Sequence, residues 1–575
     1  MAPTTEHDFD RLTPEKQHIY RYIQSGHIHA SPDGPWFFII ARNNPHKNVF
    51  QLIGITDTSM LRPQVFALQE GDVQIGLICS EKQAIDATLQ SIAAEDDRFC
   101  PVADKYWNAR GGSATDGGAF IFTVRDAGKE DGSKELICTD KFGTAVHTPS
   151  GQQHFRHAHT PALPISGHED AITKTVMEKL IADPAGLKSQ CTREIAAWDY
   201  ATLKDLCEVL HIQAQKDDRA KINAIEVLTH LNDRRYATAD KKRSSVLQIV
   251  REGLTRIFSS SPRLNQDLPS SYRHIDWDTR STLRAPADHE QVLVINAREF
   301  PPEGDDCDAR LICEAYQLGW KRFVCYGYKG QRFTGCGLSK GTEGVRIDVY
   351  DSSGDYLASG IDGLQVYVHG NAQDQLGQIM KQGKLVIFGD VGQTFMYGAK
   401  GGEVYVMGDA AGRPLINAVG RPRVVINGTC LDYLAEAFMA GDPLNGGGFV
   451  ILNGIKFDDE GNIVELATPY PGSNLFSLAS GGAIYLRDPH KIVVEEQLNG
   501  GEFVDLKPED WDLILPYLEE NEALFGISTE KDLLTLDGEK KDYREIYRKV
   551  QAVKLDVLAK VSVAAEEYEA DWQEG

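Results

Sequence analysis

Histidine is the residue type whose spacing in this sequence comes nearest to that of a metal site. Five of the 16 histidines lie in two short groups, His27-Ile-His29 and His154-Phe-Arg-His157-Ala-His159. Alternating histidines on a strand, or a pair three residues apart, can bind a transition metal. Both groups lie in loop-like sequence without a carboxylate between their members, which favours a solvated or packing role. His154, His157 and His159 are therefore weak candidate ligands, and we predict no metal site.

The cysteines do not form a recognisable cofactor set. Ten of them are scattered from Cys79 to Cys430, and no two are spaced as C-x-x-C. Nothing in their spacing matches the four ligands of an iron–sulfur cluster or of a structural zinc site. We therefore predict free, buried thiols in a reducing cytoplasm and no cofactor bound by this chain.

The charge balance limits the classes of partner. The 575 residues carry a formal net charge of −24, with 25% charged residues. This acidic balance argues against nucleic acid or an anionic membrane as the main partner. No stretch of about 20 apolar residues is present, so we expect no membrane insertion. The first ten residues, MAPTTEHDFD, lack the basic-then-apolar pattern of a signal peptide. We therefore predict a cytoplasmic protein.

A repeat of 19 to 20 residues organises the segment Val345–Gly441. Two columns two residues apart are aliphatic in every repeat: Ile347, Val366, Leu385, Val404 and Val424, then Val349, Val368, Ile387, Val406 and Ile426. Side chains two apart on a strand share a face, so both columns should point inward and stack from repeat to repeat. A helical repeat would be longer and would not alternate with period two. The pattern predicts a parallel β-helix.

Glycines punctuate this repeat. The repeat glycines that we single out as structural are Gly370, Gly389, Gly392, Gly408 and Gly428. They are expected where the backbone turns with positive φ or where neighbouring repeats approach closely. Gly335-x-Gly337 and Gly389-x-x-Gly392 could be mistaken for a dinucleotide-binding loop, but that loop needs a strand–loop–helix context that is missing here.

Residues 1–165 have an α+β pattern with a family resemblance. The run Ile55–Pro63 followed by the segment Asp72–Glu81 resembles part of a class II glutamine amidotransferase domain, which has a D-x-x-G-hydrophobic-R-P turn before a strand ending in Ser-Glu. The matching positions are Asp57, Arg62, Ser80 and Glu81, and Met60 replaces the usual turn glycine. Ser80 also fits a helix cap, because Ser80-x-x-Gln83 is a capping box. The two interpretations are compatible.

The catalytic part of that family's site is missing from its expected place. The resemblance implies an N-terminal cysteine nucleophile whose own amine acts as the base. Here Met1 is followed by Ala2, and the first cysteine is Cys79 inside a predicted strand. Thr4 or Thr5 could serve only after unusual trimming. We therefore interpret residues 1–165 as a degenerate amidotransferase-like domain with an Ntn-type α/β sandwich and no catalytic residues.

A second resemblance covers Gln291–Leu452. The stretches Asn296–Glu299, Phe323–Gly337, Val368–Gln373 and Gly389–Gly392 resemble the C-terminal GXGXG domain of the glutamate synthase large subunit. The same domain occurs in archaeal glutamate synthases, N-methylglutamate synthases and formylmethanofuran dehydrogenases. The resemblance implies a right-handed parallel β-helix that has no catalytic residues of its own and packs against flavin-binding and amidotransferase domains.

The chain divides by pattern into five parts. We predict an amidotransferase-like domain at 1–165, a helical domain at 166–262, a linker at 263–290, a GXGXG β-helix domain at 291–505 and a C-terminal helical tail at 506–575. In the tail, Pro508–Leu524 should break or kink at Pro516. Tyr543–Glu567 should form one longer helix that either caps the solenoid or docks on a partner.

The leading hypothesis is a non-catalytic scaffold subunit of a glutamate-synthase-like oxidoreductase complex. The resemblance implies that a separate partner chain carries FMN and an iron–sulfur cluster. One alternative is an active glutaminase or ammonia-channelling component of glutamate synthase. Another is a subunit of a different redox complex resembling the formylmethanofuran dehydrogenase GXGXG subunit.

Overall fold

The structure is a computed structural model that describes residues 169–553, apart from 240, 242, 329 and 459, together with seven short strands nearer the N-terminus. It is of mixed α/β type and contains a large, mostly parallel sheet. The chain forms two compact units. The first comprises 1–302, 326–331 and 351–354, and the second comprises 303–325, 332–350 and 355–575.

The first unit begins with antiparallel strands. They are β1 His29–Ala30, β2 Phe37–Phe38, β3 Val65–Gln69, β4 Asp72–Ile78, β5 Ala119–Asp126, β6 Lys134–Asp140 and β7 His154–Phe155. β1 pairs with β2, and β3 to β7 form one sheet in sequence order. The strand expected within Asp72–Glu81 is β4. The rest of the predicted amidotransferase-like sandwich lies outside the described residues.

Five helices follow, and the apolar spacing of residues 166–262 predicts four of them. They are α1 Glu169–Lys179, α2 Pro184–Glu194, α3 Tyr200–Ala214, α4 Asp218–Asp233 and α5 Arg243–Ser259. Aspartates cap two of them: Asp199 accepts the Thr202 N–H, and Asp217 accepts the Ala220 N–H. On α4, Leu228 is fully buried. α2 has no apolar stripe to predict it, since its only two buried residues are Leu187 and Cys191.

The predicted linker at 263–290 is instead partly ordered sheet. β8 Tyr272–Ile275 is buried throughout and pairs in parallel with β9 Val292–Asn296. Arg273 donates to the Glu290 carboxylate at 2.5 Å, and Arg284 donates to the same carboxylate at 2.6 Å. Polar residues are buried when they are paired in this way. The sequence of this segment therefore resembles a linker although it is part of the core.

The second unit is built on a ladder of strands. Its secondary structure comprises α6 Asp308–Gln317, β10 Arg322–Tyr326, β11 Arg346–Val349, β12 Asp362–Val368, β13 Gln382–Ile387, β14 Glu403–Val406, β15 Arg423–Ile426, β16 Phe449–Leu452, β17 Ile455–Phe457, β18 Ile463–Glu465, β19 Ala483–Arg487, β20 Gly501–Val504, α7 Pro508–Phe525, β21 Thr535–Leu536, β22 Glu539–Lys540, α8 Tyr543–Ile546 and β23 Tyr547–Ala552. Its main sheet has the order β10-β11-β12-β13-β14-β15-β16-β19-β23-β20. Every pair from β10 to β19 is parallel.

The register of this ladder confirms the two predicted aliphatic columns. Ile347 is paired with Val366, Val366 with Leu385, Leu385 with Val404, and Val404 with Val424. The second column is likewise paired from Val349 to Ile426, and all ten side chains are completely buried. We call residues 322–487 the repeat region. Its inner face is a continuous aliphatic core.

The C-terminal elements differ from the prediction. Tyr543–Glu567 was expected to be one helix, but the helix ends at Ile546 and β23 begins at Tyr547. β23 is antiparallel to both β19 and β20. The spacing of Ile546 and Val550 fits a helix, but both side chains are fully buried and strand pairing decides the local structure. Residues beyond Val553 lie outside the described part.

Two further features belong to the C-terminal part of the described chain. β18 is not part of the main sheet and forms an antiparallel hairpin with β17. Pro516 was expected to break or kink the helix that begins at Pro508; the helix does not break there, and α7 continues to Phe525. α7 ends at Gly526, which has a positive φ of 79°.

Candidate functional site

Asparagine and aspartate side chains connect successive repeats at the corner after each strand. The Asp390 N–H donates to Asn371 Oδ1, the Asp409 N–H donates to Asp390 Oδ1, and the Thr429 N–H donates to Asp409 Oδ1, each at 2.8 Å. We call these three acceptors the Asx ladder. Burial raises the pKa of the Asp409 carboxyl, and the Thr429 N–H opposes that shift.

The Asx ladder explains three of the five predicted structural glycines. A Cβ on Gly389, Gly408 or Gly428 would lie about 2 Å from the ladder oxygen of the preceding repeat, at 2.1, 2.0 and 2.1 Å respectively. Gly392 meets Asp374 Oδ1 at 2.1 Å in the same way. None of these four has a positive φ. Close approach of the backbone, and not left-handed geometry, is therefore the reason for glycine here.

The opposite side of each repeat has an alternating backbone. Three residues at positions i, i+2 and i+4 have φ between 50° and 83° in each of seven repeats. These triplets are Phe333/Gly335/Gly337, Tyr356/Ala358/Gly360, Gln375/Gly377/Ile379, Thr394/Met396/Gly398, Arg413/Leu415/Asn417, Tyr433/Ala435/Ala437 and Asn474/Phe476/Leu478. Their N–H groups bond alternately to the next and the preceding repeat: Tyr356 donates to Asp374 O, whereas Ala358 donates to Thr334 O.

The outer face of the sheet is covered by the C-terminal elements. Outward side chains such as Tyr405 and Ile451 form one buried cluster with Leu518 of α7. At its centre Asn427 and Asn521 exchange amide hydrogen bonds of 2.8 and 2.9 Å. Asn453 also donates to Asn427 Oδ1, at 2.9 Å, and all three asparagines are completely buried. We call this set the asparagine network, and it fixes the position of α7 on the strands.

A buried charge pair fixes β23 beside this cluster. Lys549 Nζ and Tyr485 Oη both donate to Asp510 Oδ1 at 2.7 Å. Burial and the neighbouring Asp510 carboxylate raise the pKa of the Tyr485 hydroxyl far above its usual value. Because Asp510 lies in the first turn of α7 and Lys549 lies on β23, the pair ties the last strand to the helix.

An aromatic stack occupies the outer face of earlier repeats. The rings of Tyr350 and His369 stack with centroids 4.3 Å apart, and those of His369 and Phe388 with centroids 5.3 Å apart. His369 Nε2 lies 3.4 Å from Asp348 Oδ1, and Arg346 donates to the same carboxylate at 2.6 Å. Burial alone would raise the pKa of Asp348, but His369 and Arg346 outweigh it and lower that pKa to about 2.

Comparison with protein families agrees with this geometry. Residues 326–548 match the family model described as the GXGXG motif. The chain thus contains a GXGXG region. A search of curated proteins finds no match for the chain. Within the matched residues, Gly335 and Gly337 are spaced as G-X-G and both have a positive φ, at 83° and 80°.

Burial favours the protonated form of several cysteine thiols. Burial raises the pKa of Cys191, Cys207 and Cys336 to about 12 in each case. Cys430 is completely buried, and burial raises its pKa well above the usual value. A thiol attacks as its thiolate, so these four are poor nucleophiles. The described cysteines are free thiols, as predicted.

Most of the other site residues predicted from sequence lie outside the described part of the chain. This is true of Asp57, Arg62, Ser80, Glu81, His157 and His159, while His154 is described only as a backbone position of β7. Within the described residues, no group of three or more histidine, cysteine or acidic side chains is arranged to hold a metal ion. No helix in that same part is long and apolar enough to cross a membrane.

The buried polar side chains of the GXGXG region bond chain segments to one another. Sequence reasoning missed the asparagine network, although Asn427 stands out in a column otherwise filled by Tyr350, His369, Phe388 and Met407. A polar residue at one position of a repeat column is the signal that could have found it. Its partners on α7 could not be read from the repeat.

Proposed function

We propose that this chain is a non-catalytic structural subunit of a glutamate-synthase-like oxidoreductase complex. The observation that carries the proposal is the match of residues 326–548 to the GXGXG motif. The resemblance of Gln291–Leu452 to the C-terminal domain of the glutamate synthase large subunit points in the same direction. In this proposal a separate partner chain supplies FMN and an iron–sulfur cluster, and this chain docks it in the cytoplasm.

We further propose that the repeat region is a right-handed parallel β-helix. Three parallel ladders support this architecture. One is the main sheet, a second is the series of bridges from Ala372 through Val391 and Ala410 to Cys430, and a third joins Val419 to Met439 and Gly481. A chain that returns to three parallel ladders once per repeat has the form of a three-sided coil.

The use of polar side chains supports a structural role. Asn427, Asn453 and Asn521 are satisfied by one another, and Lys549 is satisfied by Asp510. These groups stabilise the junction between the repeats and the C-terminal elements. A buried polar network of this kind specifies one arrangement of its elements, which is what a docking platform requires.

Residues 1–165 enter the proposal as a degenerate amidotransferase-like domain. In it Asp57, Arg62, Ser80 and Glu81 are vestiges of the family's turn and strand, and they have no catalytic role. The departure that supports this is Met60, which stands where the family's turn has glycine. Glutamine hydrolysis by the isolated chain, abolished by replacing Thr4 and Thr5, would overturn the non-catalytic assignment.

Native purification tests the proposal as a whole. The chain is isolated from its source at low salt, and its co-purifying proteins are identified by mass spectrometry together with flavin and iron assays. We expect a stoichiometric partner that contains both flavin and iron. A molybdenum- or tungsten-containing partner would replace the proposal with a different redox complex. A solitary, cofactor-free oligomer would contradict it altogether.

A further inference from the structure

A row of cations runs along one corner of the repeat region. Lys381, Lys400 and Arg421 come just before β13, β14 and β15, and all three are exposed. The Arg421 N–H donates to Lys400 O at 3.0 Å, and the Lys400 N–H donates to Met380 O at 2.7 Å. The three residues therefore lie on successive repeats, about 4.8 Å apart along the stack. We call them the basic row.

The basic row is poorly neutralised by its own surroundings. Lys381 Nζ lies 3.6 Å from Asp362, but among the described residues Lys400 and Arg421 have no carboxylate within 4.0 Å. Yet the chain carries a net charge of −24. Unneutralised cations on successive repeats of an acidic protein attract an acidic segment.

Two exposed apolar residues, Met439 and Leu478, lie beyond the basic row toward the last repeats, and we call them the apolar step. Met439 is 51% exposed and Leu478 is 75% exposed. Met439 is bridged to Val419 of the preceding repeat and to Gly481 of the following one. The Ala437 N–H donates to Ser477 O at 2.7 Å, so Leu478 lies one repeat beyond Met439. We call the apolar step and the basic row together the strip. It is apolar at the last repeat and basic at the earlier repeats.

The chain leaves the described part beside the apolar step. The Val553 N–H donates to Gly500 O at 3.1 Å, and the Leu478 N–H donates to the adjacent Asn499 O at 3.2 Å. The sequence that follows is apolar first, with Leu555, Leu558 and Val561. It is then acidic, with Glu566, Glu567, Glu569, Asp571 and Glu574 and no cation after Lys560. Residues 554–575 are thus apolar first and acidic afterwards. The strip, followed from Leu478 toward Lys381, is apolar first and basic afterwards.

We propose that residues 554–575 bind this strip, with their apolar part on Met439 and Leu478 and their acidic part on the basic row. The reach is sufficient. Leu478 and Lys381 are four repeats apart, which is about 19 Å at strand spacing. Even at the shortest common rise of about 1.5 Å per residue, the 16 steps from Leu558 to Glu574 cover about 24 Å. The proposal does not depend on the proposed function of the chain.

Nucleic acid fits the strip less well than this segment. Phosphate would pair with Lys400 and Arg421, but it would leave Met439 and Leu478 exposed. The net charge of −24 would also repel a polyanion. An acidic segment with apolar side chains satisfies both halves of the surface.

Zero-length crosslinking of the full chain tests the proposal. A carbodiimide joins a lysine amine to a carboxylate in contact with it, and peptide mapping identifies the pairs. We expect Lys381 and Lys400 to be joined to the glutamates at 566, 567 and 569, and these links to be lost at high salt. Lys216 is exposed and serves as the reference for the general reactivity of lysines in the chain.

Two further measurements keep the test decisive. In a mixture of ¹⁵N-labelled and unlabelled chains, links between differently labelled copies would assign the strip to a second copy and overturn the proposal. In a variant with Glu566, Glu567, Glu569 and Asp571 changed to glutamine, acetylation of Lys400 should become several-fold faster relative to Lys216. An unchanged ratio, or links from Lys400 only to acids within residues 303–553, would also overturn it.

Discussion

Replacing Gly408 with alanine should destabilise the repeat region by about 4 kcal/mol. The new Cβ would lie 2.0 Å from Asp390 Oδ1 and 3.1 Å from Gly389 O, so the carboxylate must move. Its hydrogen bond from the Asp409 N–H, 2.8 Å in the native chain, is then lost. Loss of a hydrogen bond to a charged group costs about 1.5–3 kcal/mol. Overpacking adds about 1–3 kcal/mol.

Hydrogen exchange provides the assay. Amides of β14 and β15 flank Gly408, and their protection under native conditions reports the free energy of local opening. Gly398→Ala is the matched control. Its φ of 59° strains alanine, but the nearest side-chain atom to the new Cβ is Ile379 Cγ2 at 3.4 Å. Left-handed strain alone costs about 1–2 kcal/mol, so Gly398→Ala should be distinctly milder than Gly408→Ala.

A double-mutant cycle can refute the reasoning. Asp390→Ala removes the carboxylate that blocks the new methyl group. In that background Gly408→Ala should cost about 1 kcal/mol, because only the approach to the Gly389 carbonyl remains. If Gly408→Ala costs the same with and without Asp390, the clash with the Asx ladder is not the reason for glycine at this position.

Three further predictions concern buried polar groups. Glu290→Gln should destabilise the first unit by about 3 kcal/mol in urea unfolding, because Arg273 keeps a buried charge. Asn521→Leu should cost about 1–3 kcal/mol and lower amide protection along α7, because Asn427 loses a partner. Lys549→Met should cost about 3 kcal/mol and release β23 in exchange experiments, because Asp510 is left buried without its cation.

The contribution of Glu290 to stability depends on pH, and the sign of that dependence can be predicted. The hydrogen bond from Arg284 chiefly holds the pKa of Glu290 at about 2 in the folded chain, below its ordinary value of about 4.3. A depressed pKa contributes stability that is fully present above pH 4.3 and is lost as the pH falls toward 2. Glu290→Gln should flatten that part of the curve. An unchanged acid limb would contradict the assignment.

The predictions for Asn521 and Lys549 each have a matched control variant. Asn462→Leu, at an exposed residue of the β17–β18 turn, should leave protection of α7 unchanged. Lys540→Met removes an exposed ion pair with Glu530 and should cost less than about 1 kcal/mol. If either control variant lowers protection or stability as much as its buried counterpart does, burial of the polar groups is not the cause of the effect.

The inner face of the repeat region could be predicted from sequence because burial acts on every residue of two columns. Ile347 and Val349 begin aliphatic columns with period two, and the strand register pairs each column residue with the next one in its column. The outer face could not be predicted in this way. Its column mixes His369, Phe388 and Asn427, because each meets a different neighbour. Those neighbours, such as Phe525 and Asn521, are distant in sequence.

Two errors show where local pattern fails. Tyr547–Ala552 has side chains spaced for a helix, yet pairing with β19 and β20 makes it a strand. The segment containing Arg273 is polar, yet its charges are paired and buried. In both places the local structure is decided by contacts between separate segments of the chain. The periodicity of a short stretch of sequence carries no information about such contacts. The basic row is different, since aligning Lys381 and Lys400 by the repeat would have revealed it.

The alternating backbone explains why the repeats must fold together. Of the 21 positive-φ positions in the seven triplets, 16 are not glycine. Left-handed backbone costs about 1–2 kcal/mol for each such residue, so an isolated repeat would not keep this conformation. Hydrogen bonds to both neighbouring repeats, such as Ala358 to Thr334 and Tyr356 to Asp374, offset that cost only in the stack. A stack held in this way is cooperative. The spacing of Lys381, Lys400 and Arg421 is therefore set by the repeat itself, and a segment that binds one of them is in register with the others.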